Sequence, residues 1–286
     1  MEVEGGHGMI HHLLAAFRLP GQLRQHRFLL GQLAWRAFAS RHAGAWLGWL
    51  WTPVSTVIQF ALYVLVFSVI LEIKIEGLGI DLARRPQVGF GVFLMTGLVP
   101  FLALNDAVMR SARVFRSQAT LVQRIRLPAE VLVLGDVAGA LLHHAVALVI
   151  VLVVVLIGGH LAVANLPWLL LGAVALALWV VGLSLAASIL GAFLPDVAEA
   201  LGLILQVMFY GAPIVYPLAL VESPALRAAI FANPMTPLAQ LARSGLLGAA
   251  PPPAAVLVYV LVGGAVLLIV GAAVVDRWRA SIPDLV

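Results

Sequence analysis

The sequence is poor in charge, has a single lysine and contains no cysteine. Without cysteine, disulfides and thiolate metal sites are excluded. The lone Lys74 follows Ile73, which also excludes the ATP-binding loop GxxxxGK[ST], because that loop requires a lysine directly after a glycine. Any ATP hydrolysis connected with this chain therefore belongs to another polypeptide.

Apolar residues dominate the chain, in runs too long for the core of a water-soluble domain. Of the 286 residues, 63% are hydrophobic and 10% are charged, and the mean hydropathy is +1.07. These values are typical of an integral membrane protein. Because a crossing of the bilayer core takes roughly 20 helical residues, the 59 residues without charge between Asp136 and Asp196 predict two spans joined by a turn.

We predict an all-α integral membrane protein with a cytoplasmic N-terminal segment, 1–52, and a transmembrane domain, 53–286. The six predicted spans are residues 53–72, 88–109, 134–157, 167–193, 200–220 and 254–275. Residues 1–52 lack the layout of a cleavable signal, so we expect them to be retained. Six crossings place both termini on one side, and a cytoplasmic N-terminus gives that side twelve basic residues against five outside. We therefore interpret the pI near 10.1 as topology signals and expect no nucleic-acid partner.

Two features precede the first predicted span. Residues 1–27 are polar and contain a proline, so we expect a loosely ordered start. Residues 28–41 place Gln32, Arg36 and Ser40 on one strip at intervals of four, which predicts an amphipathic helix on the cytoplasmic headgroups. A tryptophan-rich stretch follows, and indoles concentrate at headgroup level. The alternative is a surface helix packed on the protein itself.

The polar segment between spans two and three carries both a basic face and an apolar side. Basic residues recur at intervals of three from Arg110 to Arg116, and Leu121, Ile125 and Leu127 supply an apolar side. This pattern predicts a short amphipathic helix that projects into the cytoplasm and ends at Pro128. The helix either docks on a partner or forms an ordinary positively charged loop.

Prolines and glycine interrupt the chain after residue 210. The sequence GAPIVYP at 211–217 argues against one straight helix in span five. Residues 223–247 then contain two helical stretches of about 10 residues, each half a membrane thickness, separated by NPMTP at 233–237. We predict a helical hairpin that dips back into the membrane from the outer face. A helix pair lying on the outer surface is the alternative.

Two pairs of polar residues are candidates for chemistry. Adjacent His143 and His144 point about 100° apart on a helix, so they do not form the pair used by zinc sites on one helix, and we predict no metal site. Asp196 and Glu199 share a helical face as an acid/base pair would. Because no nucleophile accompanies them, we favour a role in capping a helix N-terminus.

Glycines at intervals of four allow helices to approach closely. Gly44 and Gly48, and Gly135 and Gly139, have this GxxxG spacing. Since the chain contains 26 glycines, the spacing also arises by chance and is a weak signal.

Three stretches resemble the transmembrane subunit of type 2 ABC exporters of polysaccharides, which move O-antigen, capsule or teichoic acid. They are residues 33–71, 97–137 and 233–238, and the match continues in order from about residue 28 to the C-terminus. The resemblance implies a six-helix half-transporter in the bacterial inner membrane with both termini cytoplasmic. It also implies a homodimer that binds two copies of a separate ABC ATPase. ATP and Mg²⁺ would be bound by that ATPase, and this chain would carry no cofactor.

The resemblance assigns roles to three segments. Residues 28–41 correspond to the family's interface helix, residues 223–247 to its outer re-entrant helices, and residues 114–127 to the coupling helix that inserts into a groove on the ATPase. The residues expected to make the ATPase coupling are Val114, Phe115, Arg116, Leu121, Arg124 and Arg126.

The implied substrate is a polysaccharide linked to undecaprenyl diphosphate, which would move through a channel formed by the dimer. Sugars present CH faces, so aromatic rings can bind them weakly and release them. The candidate channel-lining rings are Phe60, Tyr63, Phe67, Phe93, Phe101, Phe209, Tyr210 and Tyr216. Arg36, Arg41 and Arg110 are candidates for pairing with the diphosphate, with topological anchoring as the competing explanation.

Two other functions fit the residues. One is a drug or lipid export permease of the same architecture. The other is a membrane enzyme acting on lipid-linked sugars, which would use Asp196 and Glu199.

Overall fold

A computed structural model describes residues 12, 14–71, 86–124, 127–158 and 163–285. All regular structure in these ranges is helical. The helices are α1 (Ala15–Gln25), α2 (Arg27–Ala39), α3 (Trp51–Tyr63), α4 (Pro86–Ser111), α5 (Val114–Ser117), α6 (Ala119–Arg124), α7 (Ala129–Ile157), α8 (Leu166–Phe193), α9 (Val197–Tyr210), α10 (Pro224–Ala232), α11 (Met235–Leu247), α12 (Ala254–Trp278) and α13 (Ile282–Leu285). Short 3₁₀ turns cover Ser40–His42, Gly48–Leu50, Val163–Asn165 and Leu218–Leu220, and α3 continues as a π-helix over Val64–Ile70.

Within the described ranges, five helical segments are long and apolar enough to cross a membrane, which confirms the predicted all-α membrane architecture. They are Gly48–Phe67, Gly89–Ser111, Ala129–Ile157, Leu166–Phe193 and Ala254–Trp278. The predicted span 200–220 differs: α9 has 14 residues and ends at Tyr210, and residues 211–217 are not helical. The interruption predicted from the prolines is therefore confirmed, because those prolines cannot continue the helical hydrogen-bond ladder. A crossing of the membrane over 200–220 stays a prediction.

The helix α4 forms the centre of the bundle. Every residue from Gly89 to Phe101 is buried, and α4 packs against α7, α8 and α11. A second contact runs along α8 and α12, where Trp179 Nε1 donates to the Val260 carbonyl oxygen at 2.8 Å. By contrast, α3 and α9 expose large apolar side chains such as Ile58 and Val207. Their outer surfaces suit contact with lipid or with another protein.

The expectation of a loosely ordered start is wrong for the residues that form α1. This helix contains Pro20, buries Ala15 and Leu19 and packs against α12. His12 Nδ1 lies 2.7 Å from Asp276 Oδ2 at the end of α12. The apolar side chains of α1 are thus ordered by a partner almost the whole sequence away, which a local pattern does not reveal. This contact also places the N-terminal region and the end of α12 at the same end of the bundle.

The bundle has two distinct ends. We name the charged end for residues 36–42, 106–124, 127–144, 191–199 and 276–285, which are joined to one another by side-chain contacts such as Arg116 with Gly191 and Arg41 with Asp106. We name the hairpin end for residues 208–253, which adjoin the connection between α7 and α8. The helices α4, α7, α8 and α12 run between these ends.

The predicted helix over 114–127 is wrong in its extent. The structure has two short helices, α5 and α6, separated at Gln118, whose backbone φ of −121° and ψ of 28° lie outside the helical region. The chain turns there because α5 is fixed inside the bundle through the buried Val114 and Phe115, while α6 follows the surface. Residues 125–126 lie outside the described part of the chain.

The predicted amphipathic helix appears as α2, followed by the 3₁₀ turn. The strip of Gln32, Arg36 and Ser40 is exposed, as the spacing predicts. The opposite face packs on α7, where a Cβ added to Gly139 would lie 2.6 Å from Ala37 Cβ. A glycine is required for this approach, so the weak GxxxG signal in α7 corresponds to a real contact. The alternative stated above, a surface helix packed on the protein itself, therefore holds for the inner face of α2.

The two helical stretches predicted within 223–247 are confirmed as α10 and α11, which meet at Asn233 and Pro234. Except for Gln240, every residue of α11 is buried, and the helix packs against α4 and α8. By contrast, α10 is largely exposed. The alternative in which both helices lie on the surface does not fit the burial of α11.

Candidate functional site

Ion pairs connect three elements at the charged end. Arg41 donates to the carboxylate of Asp106 on α4, and His144 Nε2 on α7 lies 3.3 Å from the same oxygen. Arg110 donates twice to Asp136, with Nε to Oδ2 at 3.0 Å and Nη2 to Oδ1 at 2.7 Å. Such bidentate pairs fix geometry as well as charge. They hold the 3₁₀ turn after α2, the end of α4 and the first half of α7 together.

A chain of polar groups extends this network to α3. Thr52 is fully buried, and its Oγ1 lies 3.0 Å from His42 Nε2 and 3.3 Å from His143 Nδ1. The described residues contain no cluster of three or more histidines or carboxylates suited to a metal ion. The two histidines therefore bridge helices through a threonine.

The three arginines predicted to pair with a lipid diphosphate differ in availability. Arg41 and Arg110 are engaged by carboxylates. Arg36 is exposed and makes no ion pair within the described ranges. Together with Ser40, Arg110 and Asp136, it lines a polar pocket of about 210 Å³ between α2, α7 and the loop after α4. The pairing with diphosphate stays a prediction, and Arg36 has the geometry best suited to it.

Three residues predicted to make the ATPase coupling bind their own chain. Val114 and Phe115 are buried in the bundle. Arg116 donates through Nε to the carbonyl oxygen of Gly191 and through Nη2 to that of Ala192, both at 3.0 Å. These carbonyls end α8 and lack partners within the helix. The segment α5 is thus attached to α8. Val114 and Phe115 are enclosed by the bundle, whereas Arg116 remains exposed, and its contact with an ATPase stays a prediction.

The remaining coupling candidates lie on or after α6. Leu121 is half-buried and lines a groove of about 510 Å³ between α6, the start of α7 and α13. The side chain of Arg124 and the whole of Arg126 lie outside the described part of the chain. Thr120 is exposed on α6. Within residues 119–124, the outer surface of α6 is therefore exposed and available for contact with a partner.

The first group of predicted aromatic residues forms a row of rings along α3 and α4. Tyr63 and Phe67 have centroids 6.3 Å apart, Phe67 and Phe90 5.3 Å, and Phe90 and Phe93 5.8 Å. Phe90 completes the row and was not among the predicted residues. Phe93 is 1% exposed, so it supports the row from inside the chain. Phe60 lies half-buried on α3, also against the core.

The second group lies at the end of α9. Phe101 and Phe209 have ring centroids 4.9 Å apart, and Phe209 and Tyr210 5.0 Å apart. The hydroxyl of Tyr216 is 3.4 Å from the carbonyl oxygen of Tyr210. Of this group Tyr210 is the most exposed, at 62%, whereas Phe101 is buried. The structure thus brings the aromatic candidates together in two clusters, and their role in lining a channel stays a prediction.

Arg243 on α11 binds the broken stretch of chain after α9. It is buried, and its Nη1 donates to the Pro213 carbonyl oxygen at 2.7 Å and its Nη2 to that of Ile214 at 3.0 Å. The guanidinium also lies 3.7 Å from the Phe93 ring centroid. A Cβ added to Gly97 would lie 2.7 Å from Nη2, so a glycine makes room for the arginine. The carbonyls left without helical partners after Tyr210 are bound by this one side chain.

The turn of the hairpin is tied to two further helices. Asn233 Nδ2 donates to the Met208 carbonyl oxygen on α9 at 2.7 Å, and its Oδ1 accepts from the Met235 backbone N–H at 3.0 Å. The Tyr259 hydroxyl on α12 donates to the Ala232 carbonyl oxygen at 2.6 Å. The hairpin, the end of α9 and the start of α12 are therefore connected by side chains.

Arg243 is one of the five basic residues assigned to the outer side and lies within the predicted hairpin, but its binding of the chain after α9 was not predicted. The available signal was a lone charge within a helix of half-membrane length, because charges at membrane depth usually have a specific partner.

The acidic pair after α8 takes a structural role different from the predicted one. Asp196 occupies the N-cap position of α9, but its side chain makes no capping hydrogen bond, so the capping prediction is wrong for this residue. Glu199 Oε1 lies 3.5 Å from Arg113 Nη2, with both side chains largely exposed. Neither carboxylate is enclosed as a general acid would need to be.

Long apolar helices that are joined at a charged end define a multi-pass membrane protein. The sequence signature of the family described as "ABC-2 type transporter" matches residues 29–247. The chain therefore belongs to the ABC-2 type transporter family, as the resemblance predicted.

Relatives with assigned names indicate which branch of the family this chain resembles. The chain is 25% identical over 222 residues to the O-antigen export system permease protein RfbA of Myxococcus xanthus, covering 77% of this chain and 81% of the relative. It is 24% identical over 177 residues to the RfbA protein of Klebsiella pneumoniae, covering 62% and 64%. It is 21% identical over 202 residues to the polysialic acid transport protein KpsM of Escherichia coli, covering 70% and 74%. Two of these homologues are named as permeases of O-antigen export and the third as a polysialic acid transport protein.

Proposed function

We propose that this chain is the membrane-spanning subunit of an ATP-driven exporter that moves a lipid-linked polysaccharide, such as an undecaprenyl-diphosphate-linked O-antigen, across the bacterial inner membrane. The observation that carries the proposal is membership of the ABC-2 type transporter family together with relatives named for O-antigen and polysialic acid transport. Because the chain has no lysine after a glycine, it lacks the phosphate-binding loop of an ATPase. The energy would come from a separate ABC ATPase that binds ATP and Mg²⁺.

The chain crosses the membrane six times in this proposal. The contact of His12 with Asp276 puts the N-terminal region and the end of α12 at one end of the bundle, which requires an even number of crossings. Five helices are long enough to cross alone. We assign the sixth crossing to α9 together with residues 211–217, whose free carbonyls are bound by Arg243. The hairpin α10–α11 is then the outer re-entrant pair.

The charged end faces the cytoplasm and receives the ATPase. Movement of α6 would pass through α5 to α8, because Arg116 is bound to the last carbonyls of that helix. The helix α2 lies at the headgroup level, where its exposed Trp35 suits the interface. Exposed apolar surfaces on α3 and α9 leave room for a second copy in a homodimer, with the aromatic clusters along the polysaccharide channel.

Cysteine labelling tests the orientation directly, because the natural chain has no cysteine. Thr120→Cys on α6 and Ala225→Cys on α10 are both at exposed positions, at opposite ends of the bundle. We expect a membrane-impermeant maleimide to label A225C on intact spheroplasts and to label T120C only after permeabilisation. Labelling of T120C from outside would overturn the topology and the proposed coupling.

Association with the ATPase is tested by co-purification. Thr120→Trp places a bulky ring on the exposed side of α6, and Ala225→Trp is the matched control at the hairpin end. We expect T120W to lose the co-purified ATPase and its ATP-dependent export, while A225W retains the ATPase. An intact complex with unchanged export for T120W would contradict a docking role for α6.

A further inference from the structure

A crevice of about 300 Å³ opens between α7 and α8 and is closed at its back by α4 and α11. Its lining is apolar except for Thr96 and His144. The Thr96 hydroxyl donates to the Phe93 carbonyl oxygen at 2.8 Å, within its own helix. His144 is therefore the lining residue that gives the crevice its polar character.

The crevice is polar at His144 and apolar along the rest of its lining, which includes Leu141 on the side of the charged cluster. His144 lies 3.3 Å from Asp106 Oδ2, which Arg41 also contacts. From His144 the crevice follows α7 to Val151, a rise of roughly 10 Å along the helix. Its long axis thus runs from the charged cluster towards the hairpin end, along the direction in which the helices cross the bilayer.

The dimensions of the crevice fit an extended chain and exclude a helix. A volume of 300 Å³ holds about ten groups of the size of a water molecule or a methylene. One helical turn with side chains occupies roughly 400 Å³, given a diameter of about 10 Å and a pitch of about 5.4 Å. Leu170 and Ala173 on the wall of the crevice are exposed, so a chain in the surrounding bilayer can enter from the side.

The charges at the polar end favour an anionic headgroup. Arg36, Arg41 and Arg110 lie in the same region as the carboxylates of Asp106 and Asp136. None of these five side chains lines the crevice, but three positive charges against two negative charges leave a net positive region beside it, around the carboxylate that His144 contacts. Anionic lipid headgroups are attracted to such regions.

We propose that the crevice between α7 and α8 binds one acyl chain of a membrane phospholipid, whose phosphate lies at the level of His144 and Arg41. This lipid is a resident component of the folded chain and is separate from the transported substrate, so the proposal does not depend on the proposed function. Phospholipid surrounds the protein at high concentration, which keeps the crevice occupied even at modest affinity.

The test fills the crevice from its wall. Ala173→Phe and Ala145→Phe place a ring into the crevice from α8 and α7, and both alanines are exposed, so neither change overpacks the core. Ala177→Phe, one turn along α8 at an exposed position outside the crevice, is the matched control. The full-length chain is exchanged into detergent with added phosphatidylglycerol, and native mass spectrometry identifies and counts the retained lipids.

We expect wild type and A177F to retain one phospholipid per chain, and A173F and A145F to bind it about ten-fold more weakly because the burial of several methylenes is lost. Equal retention by all four proteins would overturn the proposal. Recovery of a polyprenyl phosphate in place of phospholipid would show a different occupant and also overturn it. Conversion of a dimer to monomers by A173F, with lipid retention unchanged, would instead assign the crevice to a second copy.

Discussion

The arginines at the charged end and Arg243 at the hairpin end have different kinds of partner. At the charged end, Arg41 and Arg110 face carboxylates on neighbouring helices. Arg243 is bound by backbone carbonyls and an aromatic ring. The first arrangement joins intact helices to one another, whereas the second stabilises a place where a helix has been interrupted.

This difference separates two tasks that a permease has to combine. Helices that carry movement from a partner need firm lateral connections, which charge pairs between side chains provide. A chain that leaves the helical conformation at membrane depth exposes carbonyls that lipid cannot bind, and it needs donors from within the protein. The arginine fork supplies several donors from one side chain. Removing one residue should therefore have a larger effect at the hairpin end.

The substitution Arg243→Met tests the larger effect expected at the hairpin end. Methionine keeps much of the volume but leaves the Pro213 and Ile214 carbonyls without a donor, so we expect a loss of about 3–5 kcal/mol in the free energy of unfolding. The measurement is unfolding in mixed micelles followed by circular dichroism. The control is Arg227→Met on the exposed α10, which loses one bond to the Val221 carbonyl oxygen and is expected to cost about 1 kcal/mol or less. Similar losses for both variants would show that the binding of broken backbone by Arg243 is not special.

The hairpin also shows where prediction from sequence succeeds. The prolines and the glycine after Tyr210 act on the local backbone, so the interruption of α9 follows from the residues themselves. The same holds for the two short helices on either side of Asn233. The partner of Arg243 does not follow from local sequence, because Phe93 and the residues after α9 approach it only in the folded bundle.

Contacts between distant parts of the chain also explain the other places where the structure differs from the sequence predictions. The helix α1 is ordered by α12, and the turn at Gln118 follows from the burial of Phe115 and the binding of Arg116 to α8. Basic spacing alone predicts one helix there, since a pattern of side chains does not show which of them the bundle will enclose. For the candidate site, composition and spacing predict which types of residue are present. The fold then decides whether each side chain faces a partner or packs on its own chain.

Within the charged end, a partly buried ion pair should contribute more to stability than an exposed ion pair. A double-mutant cycle on Arg110→Gln and Asp136→Asn measures the coupling of a partly buried pair, for which we expect about 1–2 kcal/mol in unfolding free energy. The matched cycle uses Arg113→Gln and Glu199→Gln, a pair at the same end whose side chains are largely exposed. Solvent screening should reduce that coupling to below about 0.5 kcal/mol. Equal coupling in the two cycles would remove the distinction between a structural connection and a surface pair.

A further prediction concerns the packing of α2 against α7 at the charged end and its contribution to the free energy of unfolding. Gly139→Ala adds a Cβ that would lie 2.6 Å from Ala37 Cβ and 2.8 Å from the Ala34 carbonyl oxygen, so α2 has to shift. The overpacking exceeds the gain in helix propensity, and we expect a net loss of about 1–2 kcal/mol. Gly31→Ala on α2 itself meets open space and should instead stabilise by up to about 1 kcal/mol. Unfolding in mixed micelles gives both signs, and hydrogen exchange of α2 amides shows whether the helix loosens. If headgroup contact rather than α7 held this helix, the two substitutions would change stability in the same direction, and α2 would be a surface-bound helix whose movement is independent of the charge pairs beside it.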